Sequence, residues 1–162
     1  MIEGTTLAAD FGRNLWIIEQ QAAGLTHADS LLQTPYRINC LNWTLGHILE
    51  GRGVVLDLIG AERAVAADAT ARYRRESDPI LEDGPGVLAL DDLLAGLRET
   101  QDRLSAALAG LDEDALAAES DRGDGEMVPL WAKVHFQYFH DTYHTGQTEL
   151  LRQVTGVGDK VI

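Results

Sequence analysis

Apolar residues recur along this chain with a helical period in four separate stretches. In the first, Leu7, Phe11, Leu15, Ile18, Ala22 and Leu25 return three or four positions apart. That is the stripe of an amphipathic helix rather than the alternation of a strand, and it predicts helix one over about Thr6 to Leu25. Pro35 disfavours helix in the residue before it, and beyond it Asn39 or Asn42 can cap a second helix running to about Gly60. Trp43, Gly46, His47, Glu50, Val54 and Leu58 share one face of that helix, so a histidine and a glutamate interrupt an otherwise apolar stripe. Residues 61–90 lose the period: small and charged residues dominate, and Asp78-Pro79 and Gly84-Pro85-Gly86 are turn signals. Leu93, Leu97, Gln101, Leu104 and Leu108 mark a third helix, with Asp91 and Asp92 suited to its N-terminus and Gly110 to its stop. Residues 112–128 hold enough helix formers for a turn or two and then a polar, glycine-bearing loop. Pro129 is expected in the first turn of helix four, which runs to about Thr155 with Gly156 as its cap.

These elements describe an all-α protein. At 162 residues, the chain is expected to form a single domain over 1–162 with a sizeable core of its own. The long segment 61–90 lets helix three start at the same end as helix two. The predicted architecture is a four-helix bundle with a long crossover between helices two and three, instead of simple up-down-up-down order.

Charge narrows the function. Thirteen basic residues against 26 acidic ones give a formal net charge of -13, a surface that repels nucleic acid and anionic membranes. No basic-then-apolar leader opens the sequence and no long apolar run crosses it, so a cytoplasmic location is expected. The one cysteine, Cys40, cannot build a disulfide framework or a cysteine-based zinc site, and its apolar surroundings suit an inert buried thiol.

The chemistry concentrates on helix four. Phe136, His140, His144, Gln147, Leu151 and Val154 fall within a narrow arc, which places two histidines and a glutamine inside an apolar seam. Residues four apart on a helix lie on one face, so His140 and His144 can converge on one point. Three protein ligands with an open position is the pattern of a catalytic metal site, and His47 on helix two is the best third ligand. Rival motifs fit poorly. A zinc-protease helix needs His-Glu-x-x-His, and here Asp141 stands in the glutamate position. A ferritin-like di-iron bundle needs Glu-x-x-His, which does not occur. His27 reads as an exposed loop histidine, His135 as a surface or interface one, and Tyr138 and Tyr143 as packing residues with wet hydroxyls, Tyr143 near a pocket mouth. Arg72, Arg74 and Arg75 form one basic cluster, either a solvated turn paired with Glu76 and Asp78 or an anion-binding rim.

The combination of Trp43-x-x-Gly46-His47 with His140-Asp141-x-Tyr143-His144-x-Gly146-Gln147 resembles the DinB/YfiT-like superfamily of metal-dependent enzymes, over nearly the whole chain. The resemblance implies a four-helix bundle with a long crossover, homodimerisation, and one divalent metal ion on three histidines, which map onto His47, His140 and His144. Zinc is the first expectation for that ion, with nickel, iron and manganese as alternatives. Relatives include S-transferases that use bacillithiol or mycothiol, and a mycothiol-dependent maleylpyruvate isomerase. The expected partners are therefore a small-molecule thiol and an electrophile.

The resulting expectation is transfer of a low-molecular-weight thiol to an electrophile through a metal-bound thiolate, since a coordinated thiol loses its proton. Glu50, one turn from His47, is placed to orient that ring or take a proton, and Gln147 to orient bound water. Two alternatives stand beside it. One is a hydrolase using metal-bound water; the other is a non-catalytic metal-binding bundle of the stress-response kind, favoured if Glu50 or another side chain closes the fourth position.

Overall fold

The computed structural model describes residues 2–157. Its long helices are α1 (Gly4–Ala22), α3 (Leu41–Leu58), α4 (Leu90–Ala109) and α6 (Leu130–Val154), with short α2 (His27–Ser30) and α5 (Glu113–Ala117) in the connections. None of the helices is long and apolar enough to cross a membrane.

Side-chain pairs along the helices give their directions. On α3 and α4, Leu49 lies against Gly96 and Arg52 bonds to Gln101, so the two run parallel. On α1 and α4, Gly4 meets Leu108 and Glu19 pairs with Arg98, so those run antiparallel. Asn14 bonds to Asp141 and the carbonyl of Gln21 to Arg152, which makes α1 and α6 parallel. The order is up, down, down, up. It requires the long crossover between α3 and α4, as the sequence predicts.

The predicted stripe on α1 is the buried face: Leu7, Phe11, Leu15, Ile18 and Ala22 are all in the core. The helix begins at Gly4, two residues before the predicted start at Thr6, and a Cβ at Gly4 would overlap the Leu108 carbonyl, so only glycine lets the backbones meet there. It ends at Ala22 rather than Leu25, since Gly24 takes a φ of +75° and turns the chain. Cys40, not Asn39 or Asn42, occupies the N-cap of α3. Asn42 is inside the helix and ties down the crossover: its amide donates to the Leu88 carbonyl at 2.9 Å and its oxygen accepts from the Tyr73 hydroxyl at 3.0 Å. The crossover is likewise more than a loop. A 3-10 turn at Ala71–Tyr73 drives Tyr73 into the core, and Ile80 follows it.

Two features lie outside the periodic reading. Glu119–Asp121 and Met127–Pro129 pair as an antiparallel hairpin, β1 and β2, whose turn is held by Asp121 Oδ1 accepting from the amides of Gly123 and Gly125. Strands of three residues are too short to show alternation. Pro129 consequently closes β2 and serves as the N-cap of α6 instead of lying in its first turn. His27 opens α2, is half-buried, and accepts from the Leu90 amide through Nδ1 at 3.2 Å, thereby satisfying one of the free N–H groups at the start of α4.

The apolar core is divided. One cluster holds Leu15, Ile18, Leu45, Ile48, Leu93, Leu97 and Leu151; the other holds Leu7, Phe11, Val55, Leu56, Leu104, Leu108 and Val134. Between them lies a polar layer with one residue from each long helix: Asn14, Arg52, Gln101 and Asp141. Arg52, 1 % exposed, donates to Asp141 at 2.7 and 3.3 Å, to Gln101 at 3.1 Å and to the Phe11 carbonyl at 3.0 Å. Asn14 donates to Asp141 at 2.8 Å.

Removing one partner of a buried pair leaves an uncompensated charge, which costs about 3–5 kcal/mol. Asp141→Asn is expected to lose that much stability in urea unfolding. A loss below about 1 kcal/mol would show that the layer does not hold the bundle together.

Candidate metal centre

The site forms where α3 and α6 cross on the Trp43 side of the polar layer. α3 contributes His47 and α6 contributes His140 and His144, with one ligand nitrogen of each ring within 4.8 Å of the others. The ring centroids are 4.6 to 4.9 Å apart. Among the described residues no carboxylate or thiol joins this cluster.

Each ring is oriented by a named contact. His47 Nδ1 lies 2.7 Å from the Tyr73 carbonyl, which can only accept, so Nδ1 carries the proton and Nε2 presents its lone pair. Trp43 stacks on the same ring at 4.5 Å and 21°. Gly46 explains its own place in the motif, because a Cβ there would overlap the Tyr73 ring and displace the carbonyl that holds His47. His144 Nδ1 donates to Gln147 Oε1 at 2.9 Å, which turns its Nε2 lone pair free as well. His140 Nε2 sits 3.0 Å from His47 Nε2, and a Cβ at Gly51 would come within 3.4 Å of its Nδ1. Two imidazole nitrogens at that separation share a proton or an ion, because facing lone pairs repel.

The donor set fits a divalent transition metal. Ligand nitrogens about 2.1 Å from a tetrahedral zinc stand about 3.4 Å from one another, close to the 3.0 Å between His47 and His140 and within the 4.8 Å that spans the cluster. Burial also disfavours the charged form of two of the rings. Burial pushes the His47 imidazole below its usual range against the opposing Tyr73 hydrogen bond. His140 is lowered to about 4, by burial first and then by the neighbouring His144 and His47.

The predicted site residues divide. His47, His140 and His144 come together, and Gln147 joins them as the partner of His144. Glu50 is one turn from His47 but faces away, bonded to Thr70 and paired with Arg63 at 2.8 Å and Arg74 at 3.5 Å. The backbone of Tyr73, contributed by the crossover, holds the His47 ring in its place. Asp141 is committed to Arg52 and Asn14 in the polar layer, which leaves no role for it as a protease-type general base. His135 is exposed and apart from the cluster. Cys40 is buried, and burial raises its thiol pKa.

The seam of α6 differs from the predicted arc. Its buried face is Val134, Asp141, Thr145, Thr148, Leu151 and Arg152. Phe136, at 63 % exposure, and the histidines instead border an open cleft of about 580 Å³. Trp43, Phe139 and Tyr143 also line it, with Tyr143 edge-on to His144 at 5.1 Å. A site whose metal ligands form one side of a cleft has room for a small molecule beside them.

Losing a hydrogen bond that orients a ligand costs about 10–100-fold in metal affinity. Gln147→Leu is expected to weaken zinc binding by that factor in a chelator competition, and unchanged affinity would mean that Gln147 only fills space. The His140 shift also fixes a pH dependence. The unfolded chain takes up that proton near 6.5 and the folded one only near 4, so in between the unfolded state binds more protons and stability rises with pH. Metal-free protein should lose urea resistance from pH 6.5 down to about 4, with a shallower slope in His140→Gln. Equal slopes would contradict the lowered imidazole.

A family model for the DinB superfamily matches residues 22–148. Among solved structures, the crystal structure of a conserved protein from Enterococcus faecalis is similar, with a TM-score of 0.73 and 15 % identity over 96 % of this chain and 98 % of that one. At that identity the likeness concerns the fold alone. No curated protein is a significant match. The family model covers most of the chain and includes all three histidines of the cluster, and the chain belongs to the DinB superfamily.

Proposed function

We propose that this protein is a divalent-metal-dependent enzyme that transfers a low-molecular-weight thiol to an electrophilic small molecule. The observation that carries the reading is the convergence of three imidazoles, two of them held by hydrogen bonds at Nδ1, beside an open cleft, with no fourth protein ligand among the described residues. Such a set leaves a coordination position for an exogenous group. A divalent ion held there stabilises thiolate over thiol and so supplies a nucleophile at neutral pH.

The chain's own residues then have defined work. The Tyr73 carbonyl and Gln147 keep the Nδ1 protons of His47 and His144 in place, so that both Nε2 atoms stay directed at one point. Trp43 stacks on His47 and limits its rotation. Phe136, Phe139 and Tyr143 supply an apolar wall against which the body of an electrophile can lie while its reactive carbon faces the histidines.

One feature of the cleft favours a thiol over water as nucleophile. A hydrolase of the zinc-protease type sets a carboxylate beside the nucleophilic water to take its proton, as the glutamate of His-Glu-x-x-His does. Among the described residues no aspartate or glutamate lines the cleft, and Glu50 is occupied by Arg63 and Thr70. A thiol, once deprotonated, needs no such base to attack carbon.

Elemental analysis of untagged protein tests the centre. About one equivalent of one metal is expected in the wild type, and at least a roughly 100-fold weaker hold in His47→Ala and His144→Ala. Metal retained without His47, or none after reconstitution, would dissolve the site. Cobalt-loaded protein titrated with 2-mercaptoethanol should then develop a sulfur-to-metal charge-transfer band, and its absence would return the choice to water.

A further inference from the structure

The cleft beside the histidines has a charge opposite to that of the molecule. The chain has 26 acidic residues to 13 basic ones, yet among the described residues the cleft is lined by two arginines and no acid. Arg37 comes from the segment ahead of α3 and Arg75 from the crossover just after the 3-10 turn, so two separate loops bring them to one rim.

Both are unusually free for arginines in an acidic protein. The cluster of Arg72, Arg74 and Arg75 is split by the fold. Arg72 donates to the carbonyls of Asp78 and Pro79 at 2.5 and 3.1 Å, and Arg74 to the Ala67 carbonyl at 3.0 Å, with Glu50 nearby. Arg75 keeps only a 3.9 Å contact with Glu76, its side chain 89 % exposed. Arg37 is exposed, and none of the hydrogen bonds or ion pairs of the described residues involves it. With acids in two-to-one excess, an arginine without a firm partner is easily neutralised unless its surroundings are kept clear of them. Among the described residues no acid lines the cleft itself, with Glu76 touching Arg75 only at 3.9 Å, and a guanidinium is a planar fork whose best match is a carboxylate.

We infer that the small molecule taken into this cleft carries a carboxylate held by Arg37 and Arg75, with its apolar portion against Phe136, Phe139 and Tyr143. The inference rests on the proposed function only in placing the reacting end at the histidines. The carboxylate belongs either to the thiol or to the electrophile, and both sources present the same group to the arginines.

Calorimetry on zinc-loaded protein separates these sources. One arm titrates a short series of ω-mercaptocarboxylates against their amides; the other titrates ω-phenylcarboxylates against theirs. A charge-assisted hydrogen bond supports an expected preference of about tenfold for the acid over its amide in at least one arm. That preference should fall to about unity in Arg37→Gln/Arg75→Gln, and it should shrink as salt is raised. Preference in the mercapto arm assigns the carboxylate to the thiol, and in the phenyl arm to the electrophile. Equal affinities in both arms, a preference that survives the double variant, or no binding of any acid would overturn the inference. The cobalt charge-transfer band is read separately, so its absence together with a retained acid preference would sink the thiol reading and leave the anion subsite standing.

Discussion

The buried pair of Arg52 and Asp141 is the constraint on which the rest of this bundle depends. Apolar surfaces attract without direction, and four amphipathic helices packed through leucines alone could slide by a turn at modest cost. A guanidinium with four protein acceptor contacts cannot. Because the polar layer draws one residue from each long helix, a shift of any helix would strand a buried charge or amide. Registry is the best-attested use of buried polar groups, and here it bears directly on chemistry. Asp141 immediately follows His140, so the same contact that aligns α6 against α3 also brings His140 to His47.

The second constraint comes from the crossover. A segment joining two parallel helices must run the length of the bundle, and this one uses the passage to complete the site. Its 3-10 turn buries Tyr73, whose ring rests on Gly46, whose hydroxyl meets Asn42, and whose carbonyl holds His47. Two further residues on, Arg75 reaches the rim. The orientation of His47 and part of the charge at the cleft mouth therefore come from one crossover, irregular apart from its 3-10 turn. Such irregular connections on a rigid scaffold are where functional groups commonly sit.

Electrostatics follow from these placements. The chain is acidic overall, while the cleft is lined by the three imidazoles, of which burial lowers the pKa of His47 and His140, and by two arginines. Neutral imidazoles are ready ligands at neutral pH, since no proton must be displaced before a metal binds. Glu50, the nearest carboxylate by sequence on the same helix face, is drawn away from the cleft by Arg63 and Thr70.

Much of this was legible in the sequence. The apolar period located the four long helices to within a few residues, because burial of a stripe is a local demand written every three or four positions. The length of segment 61–90 implied the crossover, and the spacing of His140 and His144 implied a shared ligand point, with His47 the natural third. What lay beyond it depended on groups distant in the chain. Arg52 stands outside every sequence-read site group, because its partners at 11, 101 and 141 are set only when four helices pack. The role expected of Glu50 in orienting His47 is filled by a backbone carbonyl, a group every residue carries and no side-chain pattern reveals. The pairing of Arg37 with Arg75 likewise joins two loops that share no period. Local patterns determined the elements and the candidate histidines, and tertiary packing alone decided which groups orient those histidines and which face the cleft.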